Sequence, residues 1–322
     1  MSKKSFVLFT VVLTALLCSS APRSMMLEDG FLPPNDLKIP IGSAEDKGIT
    51  RKQYDAVMDR VQEIYAPLIA ARGARLVIKR LWDDPTVNAS AERRGNDYIV
   101  NMYGGLARHA AITQDGLALV VCHEIGHHIG GAPKYSGQWA ANEGQADYFA
   151  NLKCLHRVFA AAAAFTKPAG DESSARRACG DSYAKAEERE LCVRSAMAGM
   201  SVTNLFRALR KEDPQPRFDT PDPKVVNRMY DNHPGTQCRL DTYFQGSLCA
   251  QPFTGEVSET DPTVGTCTRS GGFSTGLRPR CWYLPPANEP RGLELLSAIP
   301  GKPMHESSTL ATLKSESVFQ GL

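Results

Sequence analysis

The amino-acid sequence predicts an α+β fold, mainly α, with a small sheet. Apolar residues recur at helical spacing over residues 50–73, 113–129, 139–165 and 182–210. Only two runs, Arg75–Leu81 (RLVIKRL) and Asp97–Tyr103 (DYIVNMY), read as strands. Clusters of Gly, Pro, Asn and Asp separate these segments and mark the turns.

In chain order, residues 1–20 read as an export signal. Lys3 and Lys4 are followed by a 12-residue apolar run over 6–17 and then by Cys18, Ser19 and Ser20. Twelve helical residues rise about 18 Å, against roughly 30 Å of hydrocarbon, which is too short for a stable membrane span. Residues 21–48, with Pro33, Pro34 and Pro40, form an irregular arm. Thr50 with Gln53 three positions on reads as a capping box opening the first helix. Asp83, Asp84 and Pro85, then Gly95 and Asn96, place turns between the two strands. Gly130, Gly131 and Pro133 stop the second helix, and Lys167–Pro168 stops the third. Four prolines between 214 and 223 make an extended connector after the fourth, and a short helix is expected over 237–244. The resulting division is an arm (21–48), a folded domain (49–250) and a Cys-containing, partly loose C-terminal extension (251–322).

The chain has 322 residues, 42% of them hydrophobic, and a formal charge of +2. That hydrophobic share excludes a wholly disordered chain. Without Lys3 and Lys4 the chain is neutral, so neither a nucleic-acid footprint nor a polybasic membrane patch is expected. Apart from Cys18 there are eight cysteines, an even number that suits disulfides in an exported chain, and none is spaced as CxxC. Local loop closure favours Cys179–Cys192, Cys238–Cys249 and Cys267–Cys281, leaving Cys122 for Cys154.

The chemistry is concentrated in residues 117–131, LALVVCHEIGHHIGG, which contain HExxH at His123, Glu124 and His127. On a helix, positions i and i+4 lie about 400° apart, so the two imidazoles share a face and can hold one metal ion. Glu124 sits about 100° round, placed to act as a base on water rather than as a ligand. Zinc takes a third protein ligand and leaves a fourth position open. Six residues after His127 stands Pro133, which cannot ligate. Glu143 in NEGQAD (142–147) is the better candidate, and Asp147, one turn on, is placed to orient a ligand histidine. His128 points away from the shared face and reads as structural.

HExxH followed by ExxAD resembles the gluzincin metallopeptidases of the HtpX and CAAX-prenyl-protease type. Val87, Asn88 and Ala89 with residues 98–106 look like that family's Asn-Ala turn and edge strand. Asn232, His233 and Pro234 with Arg239 and Leu240 look like its His-Pro segment. The similarity covers about residues 76–244. The interval between the metal motifs is short for the family, its long transmembrane helices are missing, and the cysteines have no counterpart there. The resemblance implies a zincin-like domain binding one Zn2+ ion. It implies that Ile99, Val100, Asn101 and Met102 form an edge strand on which an extended peptide pairs. It also gives His233 or Arg239 the oxyanion to stabilise, or lets His233 dock on the zinc and block it. The reading is an exported, periplasmic or secreted, zinc-dependent endopeptidase acting on polypeptides. Two other classes share the metal motif: a catalytically silent, chaperone-like envelope module, and a zinc amidase on cell-wall crosslinks. An intact Glu124 disfavours the first, and a strand suited to peptide backbone disfavours the second.

Overall fold

The computed structural model describes residues 25–26, 30–160, 172–287 and 289. The signal segment, the end of the third helix and the far C-terminal tail lie outside the described residues.

Helix α1 (Arg51–Ala70) opens on Thr50, whose side chain caps Gln53 N while the Gln53 side chain returns to the Thr50 backbone. Its buried face, Tyr54, Val57, Met58, Val61, Tyr65 and Ile69, follows the 3.6-residue repeat. The two expected strands form with the expected bounds, β2 as Arg75–Leu81 and β4 as Asp97–Tyr103. Between them lies a strand without a sequence signal, β3 (Ala89–Arg94), joined to β4 by the two-residue turn Gly95–Asn96. Gly95 takes φ +57°, the left-handed conformation such hairpin turns require. A two-residue strand β1 (Met25–Met26) pairs with β3, giving the order β1-β3-β4-β2.

This order corrects the expected edge strand. Ile99, Val100, Asn101 and Met102 belong to β4, which is paired on both sides, parallel to β2 and antiparallel to β3. A strand whose ladder is filled on both sides has no backbone donors left for a peptide. The side of the sheet beyond β4 belongs to β3, which packs against α3 (Gln114–Ile129) and is covered by β1 at Glu92 and Arg93 and by Phe31, whose N–H donates to the Ala89 carbonyl.

Helix α2 (Gly104–Arg108) follows directly on β4. Buried Arg108 donates to the carbonyls of Ile39, Trp82 and Asp84, which fixes the arm to the sheet. Helix α3 (Gln114–Ile129), capped by Thr113, is buried along its whole length among α1, the sheet and two later helices that begin at Glu143 and Ala186. The third helix begins later than expected, at Glu143 rather than 139. Residues 138–140 instead form a bend closed by a bridge between Lys134 and Ala141, and Asn142 caps the helix through Gln145 N. It runs as α4 (Glu143–Phe149), a π-helical stretch (Ala150–Leu155) and α5 (His156–Ala160).

The expected 182–210 helix forms as α7 (Ala186–Arg210), starting later because Tyr183 is extended, and it is preceded by a helix that the sequence reading did not expect, α6 (Ser173–Ser182). The last helix, α8 (Thr236–Leu248), is longer than the sequence suggests. Among the described residues, no helix is long and apolar enough to cross a membrane.

Four disulfides staple the fold. Cys122–Cys154 and Cys179–Cys192 are the expected pairs. The other two differ: Cys238 joins Cys281, and Cys249 joins Cys267. The cause is a return of the chain that local spacing does not reveal. Trp282 is fully buried over Gly144, where any Cβ would lie 2.2 Å from the indole, and its Nε1 donates to Thr242 Oγ1 on α8. That packing brings Cys281 onto α8. Residues 251–287 are therefore largely a packed cover on α4 and α8, with Cys249, Cys267, Cys281, Trp282 and Tyr283 in one apolar cluster.

Candidate metal centre

Helix α3 presents His123 and His127 side by side, their rings in edge contact at 4.6 Å. The chain then turns through residues 130–142 and re-enters as α4, whose first residue is Glu143. One ligand atom each from His123, His127 and Glu143 lies within 4.8 Å of the others, and all three residues are buried. His123 Nε2 is 3.4 Å from Glu143 Oε2, and His127 Nε2 is 3.5 Å from Glu143 Oε1. The opposite nitrogens are used. His123 Nδ1 donates to Asp147 Oδ1 at 2.7 Å, and His127 Nδ1 donates to the Ala141 carbonyl at 2.8 Å. Those bonds turn both Nε2 atoms toward the carboxylate.

The polar atoms left over point to a cation. His123 Nε2, Glu143 Oε2 and Glu124 Oε1 are buried with no hydrogen-bond partner, a costly arrangement for a site that holds nothing. Two imidazoles and a carboxylate suit a divalent metal ion, and these three residues could hold one. The second group of suitable side chains, Asp222, Cys238 and Cys281, is already consumed by the Cys238–Cys281 disulfide.

The protein's own groups set the local electrostatics. Burial pushes the Glu124 carboxyl up to about 8, partly opposed by His123. For Glu143, burial works against the charge, yet His233, His123 and His127 outweigh it and hold the carboxyl well below its usual range. Burial likewise disfavours a charged His123, but Asp147 and Glu143 raise its pKa to about 9. His127 has no such carboxylate on its Nδ1, and burial pushes it down to about 4.

Asp147 is where it is expected, on His123, and the structure adds its partner. Arg239 donates from Nε to Asp147 Oδ2 at 2.8 Å and from Nη2 to Oδ1 at 2.7 Å. Its Nη1 reaches the Phe31 carbonyl at 3.0 Å, and the guanidinium lies over the rings of Phe31 and Phe206. Arg239 approaches Glu143 Oε2 only to 3.9 Å. Its donors face Asp147 and Phe31, so the geometry gives it the task of fixing Asp147 rather than touching a reacting oxygen. His233 does stand beside the centre: Nε2 is 3.4 Å from Glu143 Oε2 and donates to the Gly30 carbonyl at 2.8 Å. A nitrogen that donates there offers no lone pair to a metal. His128 is structural, with Nε2 donating to Ile99 O and its ring stacked between Tyr98 and Trp139.

Four contributors had no sequence signal. Gly30 and Phe31 come from the irregular arm, and the Phe31 ring packs edge-on against His123 at 4.9 Å. Tyr135 donates to Glu143 Oε1 at 3.0 Å. Asp231 accepts from Asn142 Nδ2 at 2.8 Å, tying the α4 cap to the segment that carries His233. Compared with protein-family models, with curated proteins and with solved structures, the chain matches none.

Proposed function

We propose that this chain is an exported, zinc-dependent endopeptidase of zincin-like, gluzincin type. The observation that carries the reading is the convergence of three buried ligand atoms within 4.8 Å beside an unpartnered Glu124 carboxyl. His123, His127 and Glu143 would hold the zinc, and Asp147 and Ala141 O fix the two imidazole tautomers. A zinc ion in such a site supplies Lewis acidity that brings the pKa of water toward neutrality.

Glu124 takes the proton of the attacking water and delivers it to the leaving amine. A carboxyl that burial holds near neutral pKa suits both halves of that transfer. His233 would donate its Nε2–H to the oxyanion that develops on the substrate by exchanging the Gly30 carbonyl for it. Substrate would pair in extended form along β3, the strand nearest α3, by taking the place of residues 25–26. Met25 and Met26 already pair antiparallel with Arg93 and Glu92 there. Four disulfides suit work in an oxidising compartment.

The test is a casein digest with wild type and Glu124→Gln, with and without chelator. The wild type should cut only without chelator. The variant should retain metal and lose cleavage by at least about a hundredfold. Substantial residual hydrolysis by Glu124→Gln would refute the assigned base. A wild type that binds zinc and casein without cutting would make the protein a silent binding module.

A further inference from the structure

The short interval between the two ligand segments does more than connect them. Gly131 adopts φ +78°, Ala132 N bonds Ser258 O at 2.9 Å, and Asn142 N bonds Pro133 O at 3.1 Å. Ala141 N returns to His127 O at 3.0 Å, while Tyr135 N bonds Ala140 O at 3.0 Å. The loop is also pinned through a side chain. Trp139 stacks on His128 at 4.9 Å, and the Arg93 guanidinium lies 4.5 Å from the Trp139 ring and 4.1 Å from that of Tyr98. A loop held at both ends and by this stack presents Tyr135 in one place, half-buried, with its ring stacked toward His127 and its hydroxyl 3.0 Å from Glu143 Oε1.

We propose that Tyr135 is a positioning residue of the metal centre, holding the Glu143 carboxylate in its ligand orientation through the phenolic hydroxyl. It is the closest donor to that carboxylate. The nitrogens of His123, His127 and His233 stand at 3.4, 3.5 and 3.4 Å, and Arg239 at 3.9 Å. The division of the two oxygens is informative. Oε2 faces His123 and His233 without a hydrogen bond, whereas Oε1 takes the Tyr135 proton. A carboxylate on the first residue of a helix has rotational freedom that the helix does not remove. A hydrogen bond on Oε1 fixes the carboxylate plane, which sets Oε2 3.4 Å from His123 Nε2 and Oε1 3.5 Å from His127 Nε2. Asp147 and Ala141 O do the same for the histidines, so each of the three ligands has its own orienting partner. The compact loop thus supplies the orienting group of the third ligand.

This inference rests on the zinc reading, and its test separates the two. Zinc is titrated into the full chain in competition with a chromophoric chelator at fixed neutral pH. Tyr135→Phe keeps the ring and removes the donor. It should weaken zinc affinity about 10- to 100-fold while leaving the thermal unfolding of the chelator-stripped protein unchanged. Trp139→Ala, which frees the loop without touching the centre, should weaken affinity in the same direction, and Trp139→Phe should not. An affinity for Tyr135→Phe within about twofold of wild type overturns the inference. So does a variant that loses only metal-free stability, since that marks a purely structural tyrosine. A wild type that takes up no zinc overturns this inference and the function together. A wild type that binds and cuts, with Tyr135→Phe binding equally well, overturns this one alone.

Discussion

The two flanks of the metal centre are built differently. On the deep flank, His123 is oriented by Asp147, Asp147 is gripped by two Arg239 donors, and Arg239 is anchored on Phe31 O, every one of these residues fully buried. On the shallow flank, His127 is oriented by a backbone carbonyl, and Glu143 is steadied from a half-buried loop. The deep flank is a charge chain that burial makes strong and unforgiving. The shallow flank relies on orienting groups that are themselves uncharged, a backbone carbonyl and a phenol on a half-buried loop. This difference teaches that the candidate ligands are oriented by separate parts of the chain, one by a buried charge chain and two by uncharged groups.

The comparison breaks most readily at Arg239. Arg239→Met leaves the Asp147 carboxylate buried without its partner and should lower stability by about 3–5 kcal/mol in urea unfolding. A loss below about 1 kcal/mol would show that the deep chain is not gripped as described.

A pH experiment isolates what the carboxylate does for a buried histidine. His156 is buried like His123 but has only the Leu152 carbonyl on Nδ1, and burial pushes it down to about 4. Between pH about 6.5 and about 4 the unfolded chain binds this proton and the folded chain does not. Stability from His156 is therefore complete above that window and lost through it, by about 3 kcal/mol. His156→Gln should flatten that acid limb, and parallel stability curves for the two proteins would contradict the assignment.

Smaller effects sharpen the contrast. Asp147→Asn keeps the shape but not the charge, and should weaken zinc affinity about 10- to 100-fold in chelator competition. At the start of α4, Asn142→Ala removes a helix cap and the link to Asp231, and should cost about 1 kcal/mol in the same urea assay. If Asn142→Ala cost more than Arg239→Met, the deep and shallow assignments would be reversed.

The sequence carried some of this plainly. HExxH needs only helical spacing, which is local, and Thr50 and Thr113 marked their helix starts through side chains that reach three residues on. Strands β2 and β4 were legible from their branched and aromatic residues. Strand β3, ASAERR, has neither, and hairpin pairing rather than propensity makes it a strand. The edge at 99–102 is what the family resemblance implies, and β3, with no signal of its own, offers nothing in the sequence to oppose it. The disulfide exchange has the same origin: Cys281 reaches Cys238 because Trp282 packs over Gly144, a contact between residues far apart in the chain. Arg239 could be recognised as part of the centre but not placed within it, since an arginine beside two acids reads the same whether it serves chemistry or architecture.

The central claim is most directly tested by metal analysis of dialysed protein, comparing wild type with Glu124→Gln and Glu143→Ala. A single zinc per chain should stay with the wild type and with Glu124→Gln, and should be lost from Glu143→Ala. Full zinc in Glu143→Ala, or none in the wild type, would contradict the account.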